Sequence, residues 1–113
     1  MSKSELEREL EFQLHAAHLD EGMVREFMFL KPTRRYRADF AWPHLKRGGL
    51  LVEVDGGIWT RGRHTRGGNH YTEACHRQNL AQLEGYMILT FTQPQIQSGL
   101  ALDLIERAIK LRS

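Results

Sequence analysis

Three carboxylates stand in parts of the chain whose other residues are mostly apolar. Asp39 lies within residues 36–42, and Glu53 and Asp55 lie near the end of residues 50–55. Both runs alternate as strands do, and a strand interior disfavours an acid that is neither paired nor coordinated. Three carboxylates on adjacent strands would repel one another without a cation, and Mg²⁺ prefers oxygen ligands. The pattern therefore predicts a divalent metal site formed by these residues.

A purely structural role for the acids is the alternative. Asp39 could pair with Arg35 or Arg37, and Asp55 is followed by glycine, which is a common turn signal. Strand alternation places Glu53 and Asp55 on one face, and Asp39 can meet them from the neighbouring strand. The metal site requires this shared face, whereas simple pairing does not.

The three acids interrupt the most basic part of the chain. Residues 31–66 carry nine Lys and Arg side chains and a net charge of +6, while residues 1–30 carry −4 and the whole chain carries +2. Such a segment favours a polyanionic partner, most often nucleic acid, with a solvated surface as the alternative. A metal beside phosphate-binding arginines would suit phosphodiester hydrolysis. The predicted phosphate contacts are Arg35, Arg37, Arg61, Arg63, Arg66 and Arg77.

Hydrophobic periodicity predicts an α/β domain over residues 1–113, in the order α-β-β-β-α-β-α, with helices covering a mixed sheet. Helices are predicted at 4–19, 70–84 and 99–111, and strands at 24–30, 36–42, 50–55 and 86–91. Ser4 is the predicted N-cap, with Glu7 completing a capping box. Gly48 and Gly49 predict a hairpin between the second and third strands. Residues 56–69 contain five glycines and are predicted to form a long functional loop.

Length and composition exclude several classes of protein. The 113 residues are 41% hydrophobic and 27% charged, which is typical of one globular domain. No apolar run approaches the ~18 residues of a membrane span, and no signal peptide is visible. Cys75 is the single cysteine. A single cysteine excludes an internal disulfide framework, so we expect a cytoplasmic protein. Because no apolar span is present, we expect no membrane partner.

Two motifs resemble a known nuclease family. Arg-Arg-Tyr-Arg-Ala-Asp-Phe-Ala-Trp-Pro at 34–43 and Leu-Val-Glu-Val-Asp-Gly-Gly-Ile-Trp at 51–59 are followed by Gly-Arg-His at 62–64, by Asn79 and by Gly-Tyr at 85–86. Together they resemble the compact PD-(D/E)xK nucleases related to very-short-patch repair endonucleases of bacteria and phages. The resemblance spans nearly the whole chain. It implies a restriction-endonuclease-like fold and Mg²⁺-dependent cleavage of DNA, with Mn²⁺ able to substitute.

The resemblance assigns Asp39 and Glu53 as the two metal-binding acids. The third position of the family motif is a lysine, but this chain has Asp55 there, as a third ligand or an orienter of the attacking water. The helix at 70–84 could supply a residue that replaces the missing lysine. Gln78 lies on the apolar stripe of that helix and could reach the site or bond to backbone, whereas the position of Arg77 fits a phosphate contact better.

Two further site residues come from the resemblance. Glu7 is the best match for a glutamate that the family often has in its first helix, although a solvated helix face would look the same. His64 matches a histidine after Gly-Arg, where it could donate a proton or bind phosphate, with a surface loop histidine as the alternative.

The sequence thus predicts a Mg²⁺-dependent endodeoxyribonuclease acting on double-stranded or branched DNA. A homodimer would allow so small an enzyme to cut both strands. One alternative is a catalytically inactive nucleic-acid-binding module on the same fold, marked by the missing lysine. Another is a zinc-dependent nuclease built around His64, Asn69 and His70, although the spacing of the histidines and Cys75 is unlike that of usual zinc sites.

Overall fold

A computed structural model describes residues 1–30, 36–56 and 64–113, with only the backbone described for residues 64–70. The order of helices and strands differs from the prediction, because two helices follow the last strand where one was expected. In chain order they are α1 (Lys3–Ala16), β1 (Val24–Met28), β2 (Arg37–Trp42), β3 (Leu50–Val54), α2 (His64–Leu83), β4 (Met87–Phe91), α3 (Gln93–Gln97) and α4 (Leu100–Leu111), with a 3₁₀ turn at Lys46–Gly48.

The four strands form one mixed sheet in the order β1-β2-β3-β4. The first three strands are antiparallel, and β4 lies parallel to β3. The parallel pair is joined through α2, because a parallel connection needs a crossover. The α/β class, the mixed sheet and the predicted hairpin between β2 and β3 are therefore confirmed.

The start of α1 differs from the prediction. The N-cap is Ser2, whose Oγ accepts from the amide of Glu5 at 3.1 Å, and Glu5 Oε1 accepts from the amide of Ser2 at 2.8 Å. The capping box predicted at Ser4 and Glu7 is therefore wrong. The helix begins one residue earlier, and Glu7 is bound by two cationic side chains instead.

Apolar side chains pack on both faces of the sheet. On one face, α1 and α4 cover alternating residues of β2 and β3, and on the other face α2 contributes Ala81. Each fully buried large side chain in this core contributes about 1.5–3 kcal/mol relative to its exposed state. The first cluster includes Leu6, Leu10, Leu14, Phe40, Trp42, Val52, Val54 and Ile105, and the second includes Phe29, Ala38, Ala41 and Leu51.

The alternation of β1 and β2 breaks beside Asp39. The Arg25–Phe40 pair and the Phe27–Ala38 pair flank this position in the register. Strict alternation over residues 36–42 would place Ala38 and Phe40 on one face, but Phe40 packs in the first cluster and Ala38 in the second, so that expectation is wrong here. Glu26, between the two pairs, has φ 52°, which is uncommon for a residue other than glycine and turns the chain locally.

The chain around α2 and β4 corrects two further expectations. Because α2 begins at His64, the predicted loop is too long by the six residues 64–69, and residues 57–63 lie outside the described part. The short helix α3 was not predicted, because five residues are too few to show a helical period. Among the described helices, none combines the length and apolar character that a membrane span requires.

Arg112 ties the end of α4 to the neighbouring turns. Its Nη1 donates to the carbonyls of Arg47, Gly49 and Gly85, the last two at 3.2 and 3.1 Å. We expect Arg112→Met to lower the free energy of unfolding by about 1–3 kcal/mol, because the carbonyls lose a charged donor. Urea unfolding measures the change, with Arg107→Met, an exposed arginine of the same helix, as the control. Equal losses in both variants would contradict this role.

Candidate active site

Asp39 lies in β2 between β1 and β3, at the position where the alternation breaks. Its Oδ2 accepts from the backbone N–H of Val54 at 2.8 Å, which links β2 to the end of β3. The same oxygen accepts from Lys3 Nζ at 2.8 Å. Only 13% of the Asp39 side chain is exposed. The carboxylate is therefore fixed by the sheet and directed toward the first turn of α1.

Glu7 is brought to Asp39 by α1. Lys3 Nζ also donates to Glu7 Oε2, at 2.9 Å, so one ammonium group bridges the two carboxylates. Burial disfavours the charged form of Lys3, but the hydrogen bonds and charges of Asp39 and Glu7 outweigh it and raise the pKa of Lys3. The structure thus brings the Glu7 predicted from the sequence to Asp39, and it adds Lys3, which sequence reasoning missed.

Arg25 holds the other side of Glu7. Its guanidinium donates to Glu7 Oε1 and, at 2.6 Å, to Glu11 Oε1, while its Nε donates to the carbonyl of Asp39 at 3.0 Å. The guanidinium carbon lies 4.3 Å from the centre of the Phe40 ring, which is a cation–π arrangement. Sequence reasoning missed Arg25 as well, because nothing in the local pattern links β1 to α1.

Glu26 adds a third acid that was not predicted. One carboxylate oxygen from each of Glu7, Glu26 and Asp39 lies within 4.8 Å of the others, so these groups could hold a metal ion. All three ligands are oxygens, which suits Mg²⁺ or Mn²⁺ better than a soft ion. Asp39 is the one acid shared with the predicted set of Asp39, Glu53 and Asp55.

Glu53 lies in β3, next to Val54, whose amide binds Asp39. It is 5% exposed, and its carboxylate accepts from Arg77 Nε at 2.9 Å and from Nη2 at 3.3 Å. Burial raises the pKa of Glu53, the hydrogen bonds and charge of Arg77 oppose that shift, and the charge of Asp39 adds to it. Glu53 is therefore near enough to Asp39 for their charges to interact, although each acid has its own cationic partner.

Helix α2 delivers two side chains to the ends of β3 and β4. Arg77, predicted as a phosphate contact, is bound to Glu53. Gln78 donates from Nε2 to Thr90 Oγ1 at 2.8 Å, rather than to backbone, and Thr90 is opposite Glu53 in the β3–β4 register. Asp55 follows β3, and its amide donates to the carbonyl of Phe91 at 2.8 Å.

The remaining predicted phosphate contacts are only partly placed. Arg37 is exposed at the start of β2. Arg35, Arg61 and Arg63 lie outside the described residues, and for residues 64–70 of α2, which include His64, Arg66, Asn69 and His70, the side chains are not described. The roles predicted for these residues stay predictions.

Comparisons with protein-family models, with curated proteins and with solved structures give no match for this chain. The structural observations that bear on function are therefore those of the candidate site. Its main features are acids from α1, β2 and β3, each bound to a basic side chain, in a chain with a basic middle segment.

Proposed function

We propose that this chain is a Mg²⁺-dependent endonuclease that hydrolyses phosphodiester bonds in DNA, on a restriction-endonuclease-like fold. The observation that carries the proposal is that Glu7 of α1 and Asp39 of β2 share the ammonium group of Lys3. The buried carboxylate of Glu53 belongs to β3 beside Val54, whose amide binds Asp39. Titratable groups concentrated at one partly buried place, some with a shifted pKa, are typical of functional sites. The sequence resemblance supports the same activity.

The donor set fits a hard divalent cation. Asp39 and Glu53 would hold Mg²⁺, with Glu7 or Glu26 offering a further oxygen from the α1 side. Asp55 keeps its predicted role as a third ligand or an orienter of water. When bound, Mg²⁺ supplies Lewis acidity toward a phosphate oxygen and lowers the pKa of a coordinated water. The chain itself fixes the acids in place through the Val54 amide and the Arg25 guanidinium.

Arg77 supports both the acid site and a phosphate. Its planar guanidinium has five N–H donors, so the two that bind Glu53 leave others for a phosphate oxygen. The side chain is 31% exposed, which gives it access to a substrate. Because Asp55 stands where the family has a lysine, Arg77 is the cation that we assign beside Glu53 in the substrate complex.

DNA binding by the basic segment and Arg77 makes a quantitative prediction. Six phosphate contacts would weaken DNA affinity on the order of a thousandfold between ~50 mM and ~200 mM salt. Fluorescence anisotropy in Ca²⁺, chosen to limit cleavage, measures the slope of log Kd against log salt. We expect Arg37→Gln to reduce that slope by about one and Arg107→Gln, on α4, to leave it unchanged. A flat salt response would remove the role in DNA binding.

The direct test is cleavage of supercoiled plasmid and of branched DNA with Mg²⁺ or Mn²⁺. We expect cleavage by the parent protein, none with EDTA, and none by the double variant Asp39→Asn/Glu53→Gln purified in the same way. That variant is the control for a contaminating nuclease. Equal cleavage by the double variant would overturn the assignment of the site.

A catalytically inactive DNA-binding module is the second candidate function. The observation that favours it is Asp55, an acid at the position of the family's lysine. Salt-dependent DNA binding without cleavage of any tested DNA, in either metal, would support this candidate over the nuclease.

A further inference from the structure

The first turn of α1 places a positive charge among the acids that would hold the metal. We propose that Lys3 is a resident counter-cation of this site, and that a divalent metal ion must displace its ammonium group in order to bind. This inference rests on the proposed function, because it describes how the same site is regulated. The affinity of the site for metal then depends on Lys3 as well as on the carboxylates.

The geometry supports direct competition. Lys3 Nζ lies 2.9 Å from Glu7 Oε2 and 2.8 Å from Asp39 Oδ2. Both carboxylate side chains are mostly buried, with 14% and 13% exposed. A metal ion held by Asp39, with Glu7 as the further ligand from the α1 side, would take the place of the ammonium, since neighbouring positive charges repel and the oxygens are shared.

Lys3 is the partner that can leave. Its side chain is 45% exposed, so the ammonium has a path to solvent. A Cβ built on Gly56 would lie 3.1 Å from Lys3 Cβ, so the base of the side chain runs beside the residue that follows Asp55. Lysine also has a flexible stem and makes no fixed fork of contacts.

Arg25, the other cation at the site, is held more firmly. It contacts Glu7, Glu11 and the Asp39 carbonyl at once, and its guanidinium lies on the Phe40 ring. Moving it would break four interactions, whereas moving Lys3 breaks two. Arg25 therefore stays as a support for Glu7, and Lys3 exchanges with the metal.

The competition predicts the direction of a measurable change. When a binding-competent state is only a fraction of the population, the apparent Kd rises by the inverse of that fraction. Removing the ammonium should therefore tighten metal binding. We expect Lys3→Met to bind Mn²⁺ at least about tenfold more tightly than the parent protein, as measured by electron paramagnetic resonance of free Mn²⁺. Lys3→Arg should stay close to the parent protein.

Lys110→Met is the matched control. Lys110 Nζ lies 3.8 Å from Glu106 Oε2 on the outer face of α4, so this variant also removes a lysine paired with a glutamate four residues away. We expect its Mn²⁺ affinity to equal that of the parent protein. A folded Lys3→Met protein, checked by circular dichroism, that binds Mn²⁺ no more tightly than the parent would overturn the inference.

A second measurement does not depend on the variant folding. In the parent protein labelled with ¹⁵N-lysine, the Lys3 ammonium should be slowed in its exchange with water, and Mg²⁺ should remove that protection. A Lys3 signal that stays protected at saturating Mg²⁺ would overturn the inference.

The two proposals fail in different ways. If Asp39→Asn weakens Mn²⁺ binding but Lys3→Met does not tighten it, the metal site stands and only the role of Lys3 is wrong. If neither the parent nor Lys3→Met binds Mn²⁺, both proposals are overturned.

Discussion

The Asp39→Asn protein is expected to fold like the parent and to cleave DNA with Mg²⁺ about a hundredfold to a thousandfold more slowly. An asparagine keeps an oxygen that can accept from the Val54 amide, so the link between β2 and β3 is retained. It loses the negative charge that would hold Mg²⁺. The measurement is the single-turnover rate of plasmid cleavage at saturating Mg²⁺, compared with the rate of Asp103→Asn, at an exposed position of α4.

Asp39→Ala separates the structural and chemical roles of the same side chain. Alanine leaves the Val54 amide without its acceptor, and an unsatisfied buried donor costs about 1–3 kcal/mol. Urea unfolding should therefore distinguish Asp39→Ala from Asp39→Asn, although both cleave poorly. Cleavage by Asp39→Asn at the rate of Asp103→Asn would mean that Asp39 is not a metal ligand.

The Glu53→Gln protein is expected to lose cleavage by a similar factor while becoming more stable than the parent at neutral pH. Glutamine has the same shape but cannot carry the charge that a metal requires. Burial raises the pKa of Glu53 in spite of Arg77, so ionisation of this carboxyl opposes folding. The substitution removes that cost, and Arg77 is partly exposed to water.

The stability gained by Glu53→Gln should depend on pH in a definite direction. Below the ordinary value of 4.5 the carboxyl of Glu53 is protonated in both the folded and unfolded chains. As pH rises, the unfolded chain ionises first, so the parent loses stability through the raised pKa of Glu53. We expect the gain from Glu53→Gln to be absent at low pH and to grow from about pH 4.5 upward.

Urea unfolding across the pH range measures this gain, with Glu106→Gln on α4 as the control. Subtracting the two variants removes the titration of other carboxyls, such as Glu5 and Asp20, whose pKa values are lowered. A loss of stability in Glu53→Gln at neutral pH would show that the pair with Arg77 outweighs the cost of burial.

The sequence was sufficient for the parts of the fold that depend on local pattern. Alternation places β2 and β3, and the glycines at 48 and 49 indicate their hairpin, because these signals involve neighbouring residues. Acids inside apolar strands likewise make Asp39 and Glu53 candidate site residues from local pattern alone. Helical spacing also identifies α2, although its first turn lay within a glycine-rich stretch that predicts a loop.

The rest of the site depends on contacts that no local pattern contains. Lys3 and Asp39 are 36 residues apart, and Arg25 is 18 residues from Glu7. Two capping boxes overlap in the sequence, Ser2 with Glu5 and Ser4 with Glu7. The first box is formed, while Glu7 binds Lys3 and Arg25. Contacts with distant residues therefore determine which of the two boxes forms, because local helix propensity does not distinguish them.

The capping box at Ser2 and Glu5 also stabilises the end of α1 that contributes Lys3 and Glu7 to the site. Lys3 and Glu7 belong to the first turns of α1, and helix ends open more readily than helix centres. Fraying of that turn would move the Glu7 carboxylate and the Lys3 ammonium away from Asp39, which stays on the sheet. Amide hydrogen exchange near residue 5 would therefore report how often the site is assembled, and the cap would set the fraction of time that the protein is ready to bind metal.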